Sequence, residues 1–129
     1  MIEGEAAIYT RIAQSMCEAI PEEWSSAKIE AIFYSECITY DAEYNRKADG
    51  KARSFATTLD GDRAFRELRK LFKSSGVPVW GRACFELQPD GKFVMKWGYD
   101  NCDDNGDTLF DAEQELRRHE ERRMRLSQP

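Results

Sequence analysis

Few residues here have the chemistry to act as nucleophile, base or metal ligand, and their spacing limits what they can do. His119 is the single histidine and stands between Arg118 and Glu120 in a charged run, where a solvated surface imidazole is expected rather than a base paired with a nucleophile. Cys17, Cys37, Cys84 and Cys102 are far apart and form neither a CxxC pair nor a Cys/His cluster. The surroundings of Cys37 and Cys84 show strand alternation instead of the cation or helix start that stabilises a thiolate. Reduced thiols used for packing are the expectation. Glu36, Asp41 and Glu43 could do acid/base work only if two of them shared a pocket with separated pKa values, and nothing in their spacing requires it. No catalytic residue is assigned.

The acidic stretch 100–107 invites a calcium reading, because Asn101, Asp103, Asn105 and Gly106 fall at loop positions one, three, five and six of an EF-hand. Position one is Asn rather than Asp, position twelve is Ala112 where a bidentate Glu is needed, and a strand rather than a helix precedes the loop. No metal and no cofactor are expected. The same carboxylates, Asp100, Asp103, Asp104 and Asp107, form a cluster of like charge that attracts lysine and arginine over the ~8–10 Å screening length. The alternative is a solvated turn that caps the last helix through Asp107 or Thr108. Tyr40 and Tyr44, taken as exposed aromatics, are the candidate anchors beside that charge.

Arg63, Arg66, Arg69, Lys70 and Lys73 line one helix face, but without interleaved exposed aromatics and diluted by Asp62 and Glu67, so a solvated face is expected and not a nucleic-acid track. The glycines are isolated, mostly at turns, and build no phosphate loop. Nineteen basic and twenty-four acidic residues leave a charge of -5, which argues against a general nucleic-acid binder and for a basic partner. The 129 residues, 41% hydrophobic and 12% aromatic, fit one domain burying roughly two thirds of its unfolded surface. The first residues lack the basic start and apolar stretch of an export signal. No run approaches the roughly 20 apolar residues of a membrane span. A cytoplasmic protein without membrane contact is the expectation.

The elements that must position these residues follow from periodicity. Ile8, Ile12, Met16 and Ile20 recur every four residues and predict a helix over 5–20, ended by Pro21. Alternation predicts strands over 28–34, packed on both sides, and 37–44. An Asp49-Gly50 turn leads to a third strand at 53–57. Asp60 caps a second helix whose buried stripe is Ala64, Phe65, Leu68, Leu71 and Phe72. Strands 79–88 and 92–99 flank Pro89-Asp90-Gly91 as a hairpin, with Phe93, Met95, Trp97 and Tyr99 on the core face. A last helix at about 108–126 starts at a Thr108/Asp111 capping box, carries the short apolar stripe Leu109, Ala112 and Leu116, and ends in a charged half, 117–125, that is solvated rather than anchored. The order α-β-β-β-α-β-β-α predicts an α+β domain spanning 1–129, an antiparallel sheet of about five strands with helices packed against it.

Ile12-Ala13-Gln14-Ser15-Met16, then Ile20-Pro21-Glu22-Glu23-Trp24, Trp80, Asp90-Gly91-Lys92-Phe93 and Tyr99-Asp100 resemble, in that order, the YezG-like immunity protein family, over about 8–111. Their order and spacing carry the likeness, since each motif alone is common. The run 117–123 stands where a more aromatic end is expected of the family. The resemblance implies an antitoxin that protects a bacterium by tightly binding the toxic domain of a secreted polymorphic toxin, often a nuclease, with no catalytic residue of its own. Inhibition by occlusion of a basic toxin domain is the leading expectation. An adaptor or small-ligand module using a cleft between sheet and helices is the alternative.

Overall fold

The computed structural model describes residues 1–127. Its elements are α1 (Glu5–Ala19), β1 (Trp24–Phe33), β2 (Ile38–Arg46), β3 (Ala52–Ser54), α2 (Leu59–Ser74), β4 (Arg82–Leu87), β5 (Phe93–Gly98) and α3 (Ala112–Leu126). The five strands form one antiparallel sheet in the order β3-β2-β1-β4-β5. This is the α+β arrangement and element order that periodicity predicts.

Strand alternation divides the sheet into two unlike faces. Register places Ala27, Ile29, Ala31 and Phe33 of β1 beside Ala42 and Tyr44 of β2 and beside Ala83, Phe85 and Leu87 of β4. All are buried. The amphipathic faces of α1 and α2 close over them, with Ile12, Met16, Phe65 and Leu68 sealed from solvent. Each such side chain contributes about 1.5–3 kcal/mol on burial. Trp80, fully buried just before β4, meets Phe33, Phe72 and Trp97 in one aromatic cluster.

The opposite face is polar: Lys28 opposes Glu43 and Glu30 opposes Asp41 across β1 and β2. α3 lies over it with none of its own residues buried. Arg122 and Arg125 reach Glu43 at 3.5 and 2.8 Å, Arg122 also reaches Asp41 at 3.5 Å, and Arg118 pairs with Asp41 and, at 2.6 Å, with Glu115. The charged end of the chain is thus tied to the sheet, correcting the expectation of a merely solvated helix. Like carboxylates directly opposite each other destabilise a strand pair. The arginines supply the countercharge that lets Glu30 and Asp41 share a face.

Three local expectations also change. α2 is capped by Thr58, whose Oγ1 accepts from the Gly61 amide at 3.0 Å, while Asp60 pairs with Arg11 at 3.1 Å. The N-cap of α3 is Asp111, accepting from the amides of Glu113 and Gln114, and Thr108 lies outside the helix. β5 is an edge strand that ends at Gly98, so its apolar face is only partly covered: Phe93 is 41% exposed, and Tyr99, expected on the same face, lies past the strand and is 49% exposed. Its contribution to folding falls short of full burial.

Candidate partner-binding surface

Residues 99–111 run from the end of β5 across the end of β1 to α3. Thr108 locks the crossing: its amide donates to the Phe33 carbonyl at 2.7 Å and its hydroxyl to the Gly81 carbonyl at 3.1 Å. Gly81 must lack a side chain there, since a Cβ would come within 2.5 Å of the Cys102 sulfur and 2.6 Å of the Thr108 hydroxyl.

The four aspartates expected to face a partner divide into two pairs. Asp103 organises the loop, its carboxylate accepting from the amides of Asn105 and Asp107 at 2.9 and 3.0 Å. Asp107 turns inward to Arg69 at 2.7 Å. Arg69 is itself buried, donating from Nε to the Trp80 carbonyl at 3.2 Å and lying 4.8 Å from the centre of the Phe33 ring. It does not belong to the solvated basic face of α2 on which its spacing placed it. Asp100 and Asp104 are exposed, Asp100 pairing with Arg82 from an otherwise open position.

Tyr40 and Tyr44 are not the exposed aromatics expected. Tyr44 is 3% exposed and donates to Glu22 at 2.5 Å. Tyr40 is partly buried against Phe65 and donates to Asp62 at 2.6 Å. Burial first, and the carboxylate at each hydroxyl second, raise both phenol pKa values. The exposed apolar residues lie instead beside the acidic loop, where Leu109 is 49% and Phe110 72% exposed. The Phe110 ring lies 6.0 Å from that of Tyr34, whose hydroxyl donates to Glu115 of α3. Consecutive apolar residues between an acidic loop and a helix cap were the signal for this pair, masked because Leu109 also fits a helical stripe.

Behind this edge a polar cleft of about 340 Å³ separates α3 from β1 and β4, lined among others by Glu30, Arg82, Asp100, Glu115, Arg118 and Glu121. Asp41 and Glu43 share the outer face, each held by arginines, whereas Glu36 lies exposed between β1 and β2. His119 is on the surface, 3.6 Å from Glu115. Burial, with the charges of Glu30 and Glu86, pushes the Cys84 thiol up to about 11; that favours a packing role over a nucleophilic one. Among the described residues no group of three or more His, Cys, Asp or Glu is placed to hold a metal ion, and no helix is long and apolar enough to cross a membrane.

One antiparallel sheet, two helices over its apolar face, a third ion-paired to its polar face, and an acidic loop flanked by exposed apolar side chains make up a small α+β fold. The chain belongs to the YezG-like immunity protein family, whose model, described as Immunity protein YezG-like, matches residues 6–120. The matched stretch includes the whole sheet, the acidic loop and the first part of α3. No individual curated protein matches the chain.

Proposed function

We propose that this chain binds and neutralises a cognate secreted toxin domain, a nuclease, by occluding it, and that the surface built by residues 99–111 makes the contact. The observation that carries this reading is the juxtaposition of exposed Asp100 and Asp104 with exposed Leu109 and Phe110. A nuclease must present cationic groups to a polyanionic substrate. An acidic surface complements those groups, raises the association rate through long-range attraction, and leaves residence time to desolvated apolar anchors. Family membership supports a toxin as the partner, and the net charge of -5 supports a basic one.

Co-expression tests the function: the cognate toxin domain arrests growth alone, ceases to do so with this chain present, and co-purifies with it. The surface is tested by Asp100→Asn with Asp104→Asn. Stopped-flow association with the toxin should slow several-fold at low salt and lose much of its salt dependence. Unchanged association kinetics would remove the acidic loop from the interface while leaving the antitoxin role open.

A further inference from the structure

We propose that the free edge of β5 pairs with β5 of a second copy across a two-fold axis centred on Met95, making the chain a homodimer with a continuous ten-stranded sheet. The count is twice the five strands of one copy.

The hydrogen-bond parity of the sheet sets up the argument. The Tyr34 amide donates to the Cys37 carbonyl at 2.9 Å, in register with the β1–β2 pairs, so the even-numbered residues of β1 bond toward β2 and its odd-numbered residues toward their odd-numbered partners on β4. The Gln88 amide donates to the Lys92 carbonyl at 2.8 Å, so the even-numbered residues of β4 and β5 bond to each other. Residues in an antiparallel ladder alternate between the two sides. The amides and carbonyls of Phe93, Met95 and Trp97 therefore point away from β4, at the end of the strand order. This edge is regular over six residues, with no proline and no register shift. The opposite edge, β3, has only three residues.

Self-pairing must place odd residues opposite odd residues, leaving three registers near the strand centre. A dyad on Lys96 sets Lys96 opposite its own copy. A dyad on Val94 sets Lys92 opposite the second copy's Lys96. Both place like charges face to face, which opposes pairing. A dyad on Met95 avoids this: Val94 faces the second copy's Lys96, Met95 faces Met95, and Phe93 faces the second copy's Trp97. All three outward amides and carbonyls of each copy then find partners. Phe93, 41% exposed, gains an aromatic cross-strand neighbour. The two lysines that would guard the edge against other pairings thus select one register, and with it a second copy as the occupant.

Val94→Lys tests the register without threatening the fold, because within one chain residue 94 stands opposite Glu86, a favourable pair for lysine. In the dimer it would face Lys96 of the second copy. Sedimentation velocity should show wild type shifting from monomer to dimer as concentration rises, and Val94→Lys remaining monomeric, with a melting temperature equal to that of wild type at dilutions where wild type is itself monomeric. With Cys17→Ser and Cys37→Ser as background, Met95→Cys should form a disulfide dimer on oxidation and Val94→Cys should not, since opposed residues of a bonded pair lie about 5.5 Å apart, within disulfide reach. A wild type that stays monomeric at high concentration would overturn the proposal, as would a dimer that survives Val94→Lys. So would protection of the β5 amides appearing only with toxin, which would assign the edge to a toxin strand. Toxin neutralisation by Val94→Lys separates this inference from the proposed function, which stands if neutralisation persists.

Discussion

Arg69 and Asp107 show how one residue pair can join parts of the molecule remote in sequence. The guanidinium ties α2 to the Trp80 carbonyl, covers the Phe33 ring and holds the acidic loop through Asp107. Charges 8% and 14% exposed are costly to leave alone, and removing one partner of such a pair typically costs about 3–5 kcal/mol. Arg69→Met should therefore lower the urea midpoint by an amount equivalent to about 3 kcal/mol, because the Asp107 carboxylate is stranded. The double variant with Asp107→Asn should recover part of that loss. Equal loss in single and double variants would mean that the arginine acts through packing alone.

At the scale of elements, α3 presents an unusual balance, since nothing it carries is buried and its hold on the sheet is largely electrostatic. Burial by itself would raise the Glu43 carboxyl. The Arg125 hydrogen bond and the charges of Arg125, Lys28 and Arg122 outweigh it and hold the group below its ordinary 4.5. The folded state thus binds fewer protons than the unfolded one, so the docking contribution is complete above about pH 4.5 and is lost as pH falls through the lowered folded value. Amide-exchange protection factors across α3 should fall on acidification before those of β1 and β4. Glu43→Gln should reproduce the loss at neutral pH, and added salt should deepen it. Protection insensitive to all three would show that the helix is held by something other than these pairs.

For the whole molecule, charge and apolar contact should separate into different kinetic quantities. In the proposed toxin complex, steering would depend on the summed field of the acidic face, and residence on side chains that lose water on contact. Leu109→Ser with Phe110→Ser should leave the fold intact, because both side chains are exposed, and should leave toxin association nearly unchanged. Dissociation should quicken at least tenfold, measured by surface-immobilised toxin. A variant that slows association and spares dissociation would reverse the division of labour between the apolar pair and the aspartates.

Periodicity alone determined the order of elements, the faces of α1 and α2 and the 89–91 turn, because burial imposes a repeat of 3.6 or 2 on the chain itself. The acidic loop was equally legible as composition. What each aspartate does was not: Asp103 and Asp107 are turned inward by amides and an arginine brought close only by folding. Tyr40 and Tyr44 look like surface aromatics until register sets them on the apolar face of β2. The docking of α3 was written in Arg118, Arg122 and Arg125, spaced to share one helix face, and in Asp41 and Glu43, spaced to share one strand face. A charged stripe has no partner until the sheet supplies one, so only the tertiary structure decided that these charges meet each other rather than water.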